Sequence, residues 1–243
     1  VEDVSPIIAR VDEDELSGGI TDNDSVNTVA TGSLNNLIVG PAVSAQFGLS
    51  TDTSGLSGAS SGGVPLVYGV VGNLLTAKAG AAGPAVFTLE VQSNGDYTFT
   101  LLKALDHPLG NGDDNELLVM DFASIIVASN GSNPLPLAGQ FLVQIEDDVP
   151  SAGVNEPVQL DDDALTNGIP GGVGDDADSI NASGILSHNF GADGAGSVQW
   201  LTTGAPVGFT YESGPGGSLL IKQGGVTVLT VSLDSATGVY EIG

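Results

Sequence analysis

The strongest constraint on this chain is that it repeats itself. Glu2-Asp3-Val4-Ser5-Pro6 returns as Glu146-Asp147-Asp148-Val149-Pro150, a shift of about 144 positions. In the same order, Val11 to Leu16 returns as Leu160 to Leu165, and Asp24-Ser25-Val26-Asn27 as Asp178-Ser179-Ile180-Asn181. Gly32-Ser33-Leu34 then matches Gly184-Ile185-Leu186, Gln46-Phe47 matches Gln199-Trp200, and Thr88 to Val91 matches Thr230 to Leu233. Gly95-Asp96-Tyr97 closes the series against Gly238-Val239-Tyr240. Blocks that keep one order over so long a span mark two copies of one folding unit. Residues 1–148 are expected to form a complete module. Residues 149–243 are expected to form a second copy, incomplete at its C-terminal end, either truncated or split by an insertion.

The composition narrows the kind of module. Four basic residues, Arg10, Lys78, Lys103 and Lys222, face 30 carboxylates, so the helix-supporting pairs of Glu with Lys one turn on cannot form. Gly and Pro are abundant (36 and 12), and they punctuate short runs of Val, Ile, Leu and Thr. Both features predict an all-β chain. Phe87 to Val91 alternates, turns at Ser93-Asn94-Gly95-Asp96 and returns as Tyr97 to Leu101, the pattern of a hairpin. Its twin runs from Val228 to Leu233, through Asp234 to Gly238, into Val239 to Ile242. Further strands are expected at Leu117 to Phe122, Gly139 to Ile145, Val198 to Leu201 and Leu219 to Lys222. Many short strands with frequent turns are best buried as two packed antiparallel sheets, so each module is read as a β-sandwich of the immunoglobulin- or cadherin-like kind. Tyr97, Tyr240, Phe47 and Trp200 are read as core residues.

A formal net charge of -26 excludes nucleic acid and anionic membrane as main partners. With 41% of residues hydrophobic, the chain can still bury a core, unlike disordered acidic chains. Cys is absent, so neither disulfides nor thiolate metal sites hold the fold. No run of apolar residues is long enough to span a bilayer. No secretory leader opens the sequence, and the chain is expected to be a piece of a longer one.

The carboxylates supply the remaining chemistry. They gather at Glu2 and Asp3, at Asp12 and Asp14, at Asp22 and Asp24, at Asp113, Asp114 and Glu116, at Glu146, Asp147 and Asp148, at Asp161 and Asp163, and at Asp175, Asp176 and Asp178. The strands themselves are nearly free of charge. Carboxylates crowded together repel, and a hard dication reverses that interaction. Ca²⁺ accepts six to eight oxygen ligands in flexible geometry, so these clusters, with Asp193, are read as ligands for several Ca²⁺ ions. Gly171 to Asp176 also fits the start of a nonapeptide calcium repeat, read as a single calcium loop. Zinc is not expected: His107 and His188 fall in different modules, and each is read as an ordinary loop residue. Glu146 to Asp148 and Asp161 to Asp163 are both expected to reach the junction between the modules and to share an ion there.

Taken together, the long repeat, the Glu-Asp-Asp-Val-Pro junction at 146 to 150, the acidic opening at 12 to 16, Phe190-Gly191-Ala192-Asp193-Gly194, and Tyr97 to Leu101 followed by Leu105-Asp106-His107-Pro108 resemble the repeat modules of giant RTX adhesins exported by type I secretion. The resemblance implies calcium-rigidified tandem sandwiches on a bacterial cell surface, acting in attachment and biofilm formation. Gly40-Pro41-Ala42 stands in the first module where the second has Ala192-Asp193-Gly194, and Ser129 to Asn133 has no carboxylate where the family often shows one.

The expected function is therefore that of an extracellular structural spacer. Its partners would be neighbouring modules of the same chain, and a monomer is expected. The alternative is a split scaffold domain that carries an inserted lectin-like, carbohydrate-binding domain. An enzyme is not expected, because aromatic sugar platforms, nucleophile motifs and phosphate-binding loops are all missing.

Overall fold

The hairpin that alternation predicts is the spine of the first half of the molecule. In the computed structural model, which describes residues 5–21, 24–40, 44–56, 58–108, 116–131, 133–155, 158–161, 167–169, 171 and 182–243, Ala85–Val91 pairs antiparallel with Asp96–Leu101. Gly95, at φ +91°, makes the turn, and the Asn94 side chain accepts from the Asp96 amide. The chain divides into two compact units: Val1–Pro150 with Gly191–Gly194, and Ser151–Phe190 with Ala195–Gly243.

Unit 1 is built from β1 (Ile7–Asp12), β2 (Val29–Ser33), β3 (Gln46–Leu49), β4 (Ser60–Ser61), β5 (Val64–Val71), β6 (Leu74–Ala79), β7 (Ala85–Val91), β8 (Asp96–Leu101), β9 (Leu117–Asp121), β10 (Ile126–Ser129) and β11 (Phe141–Glu146). One sheet runs β2-β8-β7-β6-β5-β4, a second runs β1-β11-β9, and β10 pairs with β3. Period-2 alternation decides which side chains point inward. In β11, Phe141, Val143 and Ile145 are fully buried, while Leu142 and Gln144 face the other way. The two larger sheets meet through aromatic rings. Tyr97 of β8 packs on Phe141 of β11 at 4.6 Å between ring centres, and Phe87 of β7 meets Phe122 edge-on at 5.8 Å. The unit is all-β with several sheets around one apolar core, consistent with a β-sandwich.

Unit 2 contains β12 (Ser151–Ala152), β13 (Ser183–Ile185), β14 (His188–Asn189), β15 (Phe209–Ser213), β16 (Leu219–Gln223), β17 (Val226–Leu233) and β18 (Val239–Ile242). Five of them form a sheet in the order β13-β18-β17-β16-β15, and β12 pairs with β14. The expected strand at Val198 to Leu201 is not one; this segment runs without sheet pairing. Trp200 there is half-buried and stands edge-on to Tyr240 at 6.1 Å, and the Val198 amide donates to the Ser235 carbonyl at 2.8 Å, so ring packing and a single backbone bond hold the segment without a ladder.

One local device recurs in both units. Gly32 pairs with Tyr97, and Gly184 pairs with Tyr240. In each case the tyrosine ring lies across the glycine, where an added Cβ would stand 2.7 Å and 2.6 Å from the respective hydroxyl oxygens. Only glycine leaves room for the ring.

Among the described residues, helix is confined to three single 3₁₀ turns. None is long and apolar enough to cross a membrane.

Candidate metal centre

The first strand delivers its carboxylates to two different places. β1 ends at Asp12 and the chain turns through Glu13 and Asp14, which leaves the Asp12 carboxylate on one side, with Asp14 beside it, and that of Glu13 on the other. All three are buried, at 2%, 0% and 4% exposure. The turn that follows is tight. The Asp14 amide donates to Asp12 Oδ1 at 3.0 Å, an Asx turn. Gly19 approaches the Asp14 carbonyl so closely that an added Cβ would collide with the backbone.

On the first side, β1 and β11 run parallel and in register, with Asp12 opposite Glu146. Side-chain oxygens of Asp12, Asp24 and Glu146 lie within 4.8 Å of one another, a set that could hold a metal ion. Arg10, two residues before Asp12 on the same face, reaches Glu146 Oε2 at 2.9 Å. Burial, reinforced by the charges of Asp14 and Glu146, pushes the Asp12 carboxyl up to about 7. Asp24 is the exposed member, and its Oδ1 accepts from the Val26 amide.

On the second side, Glu13 meets His107 and Asp147, whose ligand atoms also fall within 4.8 Å of one another. His107 Nδ1 lies 3.2 Å from Asp147 Oδ1 and 3.8 Å from Glu13 Oε1, and only 3% of the histidine side chain is exposed. The Leu105 amide donates to Glu13 Oε1 at 2.9 Å, whereas Glu13 Oε2 is buried without a hydrogen-bond partner. Burial, together with the charges of Asp193, Asp147 and Asp148, pushes the Glu13 carboxyl up to about 9. The Asp147 carboxyl is raised as well, mainly by burial, with His107 pulling the other way.

Asp148 does something else. Both of its oxygens are engaged by the Ile20 amide at 3.3 Å, and Oδ2 also accepts from the Ala192 amide. The side chain staples the loop after β1 and the segment Gly191–Gly194 to the end of β11. Gly191, at φ +76°, is needed there because a Cβ would stand 2.6 Å from the same carboxylate.

Of the residues read from sequence as metal ligands, the structure therefore gathers Asp12, Asp24 and Glu146 into one group and Asp147 into the other, with Asp14, Asp148 and Asp193 beside them. Glu116 contributes its carbonyl to the Asp147 amide, and its charge raises the Asp147 carboxyl. Asp161 lies in unit 2 and in neither group. Glu2, Asp3, Asp22, Asp113, Asp114, Asp163, Asp175, Asp176 and Asp178 fall outside the described residues.

Two members of the second group were not among the ligands read from sequence. Glu13 was left out between its aspartate neighbours; the turn after β1 places its carboxylate in a different group from that of Asp12. His107 was read as an ordinary loop residue; it is buried against two carboxylates. The Leu-Asp-His-Pro segment gave the only hint, since Leu105 is fully buried and Asp106 is tied to the Gly63 amide at 2.9 Å, which holds His107 inward. Compared with known proteins, the chain matches no family model, no curated protein and no solved structure.

Proposed function

We propose that the chain is a calcium-binding structural module of a bacterial surface adhesin, a type I-exported, immunoglobulin- or cadherin-like β-sandwich that Ca²⁺ stiffens. One observation carries the reading: Asp12, Asp14 and Glu146 are each at most 4% exposed and converge at the end of the β1–β11 pair, where Arg10 pairs with Glu146. Burying carboxylates together opposes folding unless cations compensate them. The Asp12–Asp24–Glu146 group offers oxygen only, which suits a hard ion with flexible coordination. A spacer needs little more than this. It has no reacting groups to position, and its task of holding a distal binding domain away from the cell is met by a chain that resists unfolding and bending.

The reading predicts a large stability linkage. An ion that binds only the native state stabilises it by about 2.7 kcal/mol at a hundredfold excess over its dissociation constant. The melting temperature should fall in EDTA and recover with millimolar Ca²⁺, with Mg²⁺ rescuing poorly. An unchanged melt in EDTA contradicts the calcium reading.

A further inference from the structure

We propose that unit 1 holds a second, chemically different metal site, in which His107 Nδ1, Glu13 and Asp147 bind a first-row transition-metal dication such as Zn²⁺. The inference stands on the geometry around His107 and does not require Ca²⁺ at the Asp12 group.

Both ring nitrogens of His107 face oxygen. Nε2 lies 3.1 Å from the Ile145 carbonyl, and Nδ1 lies 3.1 Å from the Leu105 carbonyl and 3.2 Å from Asp147 Oδ1. A neutral imidazole donates from one nitrogen and presents a lone pair at the other, so one side of the ring always meets acceptors with nothing between. With the proton on Nε2, donated to Ile145, the lone pair of Nδ1 points into the carboxylates. A second proton on Nδ1 would satisfy the ring and face Asp147 Oδ1. It would leave Glu13 Oε2 without a partner on a side chain that is 0% exposed. A dication among Nδ1, Glu13 and Asp147 satisfies all three.

The surroundings match what a metal-binding histidine needs. A ligating imidazole usually passes its other N–H to a carbonyl, which fixes ring orientation and tautomer, and Ile145 provides that carbonyl from β11. Glu13 is likewise held by the Leu105 amide. Both anchors are rigid, because Leu105 and Ile145 are fully buried core residues. The donor set decides the class of ion. An imidazole nitrogen with two carboxylates suits Zn²⁺ and its neighbours, whereas Ca²⁺ selects oxygen and a larger shell. The two groups thus sort metals by chemistry: oxygen only around Asp12, one nitrogen with oxygens around Glu13. The exposed Asp193 and the half-buried Glu116 add negative charge around the second site, which favours any cation entering it.

The test uses the untagged full chain in excess Ca²⁺, so that oxygen-only sites are already filled. One equivalent of Zn²⁺ should bind in a calorimetric titration, and Co²⁺ in its place should give a visible ligand-field band. His107→Asn should weaken Zn²⁺ binding at least about 100-fold, because loss of a supporting partner alone costs 10–100-fold. His188→Asn should leave it unchanged. Nitrogen NMR of the unsubstituted chain covers the case in which His107→Asn fails to fold: Zn²⁺ should shift the Nδ1 resonance of His107 and spare His188. Displacement of Zn²⁺ by millimolar Ca²⁺, or a His107 ring that stays doubly protonated with Zn²⁺ present, would overturn the proposal. A chain that binds Zn²⁺ in this way yet melts identically with and without Ca²⁺ would retain this site and lose the calcium reading.

Discussion

Unit 1 and unit 2 share a hairpin and a glycine–tyrosine pairing, and they differ in what closes the core. In unit 1 the hairpin sheet faces β1, β11 and β9, and residues from both sheets are fully buried. Among the described residues of unit 2 three apolar side chains are buried, Leu219, Val231 and Tyr240, and Ile221, Leu233 and Ile242 around them stay half-exposed. The difference also decides where the carboxylates are buried. Both groups of unit 1 that could hold a metal ion draw residues from the ends of β1 and β11, the strands of its second sheet, or from the residues just after them. Core closure and the buried carboxylates therefore depend on the same two strands. Losing either should weaken the other.

The largest expected effect lies in that second sheet. Phe141→Ala removes a fully buried ring that touches Tyr97 and Phe122, and it should cost about 3–5 kcal/mol. Val231→Ala, in the thinner core of unit 2, should cost roughly 1–2 kcal/mol. Trp200, the one Trp of the chain, lies in unit 2. Denaturant unfolding read by circular dichroism should therefore show Phe141→Ala strongly, while Trp200 fluorescence should respond mainly to Val231→Ala. Equal shifts in both signals for both variants would mean that the units unfold as one.

The next effect is an inversion with pH. Asp12 and Glu13 have folded-state values of about 7 and about 9, above the ordinary 3.8 and 4.5. For an acid raised on folding, the native state binds the proton more tightly, so stability is fully present below the unfolded value and is lost as pH rises through the folded one. In EDTA, unit 1 should become less stable between about pH 5 and 9. Saturating Ca²⁺ and Zn²⁺ should flatten or reverse that slope, since metals bind the deprotonated form. Melting curves at pH 5, 7 and 9, with and without the ions, check the sign. A rising stability in EDTA over this range would contradict burial of these carboxylates without a cation.

The smallest effect concerns the shared device. Gly32→Ala and Gly184→Ala should each displace the tyrosine ring lying over them, at a cost of about 1–3 kcal/mol. Gly32→Ala should be the worse, because Tyr97 packs on Phe141 in a closed core, whereas the ring beside Tyr240 belongs to the half-buried Trp200. Tyrosine fluorescence or the aromatic proton spectrum of each variant reads the displacement directly.

Much of this was legible in the residues, for reasons particular to each segment. Alternation exposed β7, β8, β11, β16 and β17, because their strands are half-buried or edge a core with one wet face. It failed for β5 and β6, although Gly72-Asn73 between Val70-Val71 and Leu74-Leu75 is a hairpin signal. It failed at Val198 to Leu201 because a short, mostly apolar segment held by one indole and one backbone bond looks like a strand. The acidic clusters were visible, but their grouping was not. Asp12 and Glu146 become neighbours only through a parallel pairing of strands from opposite ends of unit 1, and no local pattern encodes that register. His107 stayed hidden for the same reason: its partners are the residue that follows β1 and the residue that follows β11.

The central claim is that a cation closes the acidic end of the β1–β11 pair. Hydrogen exchange followed by peptide, with and without Ca²⁺ at neutral pH, tests it most directly. Calcium should slow exchange in Ile7–Asp12, in the turn from Glu13 to Gly19 and in Phe141–Glu146, with a smaller change in the hairpin Val226–Leu233 and Val239–Ile242. Identical exchange in those unit 1 segments with and without the ion would contradict the account.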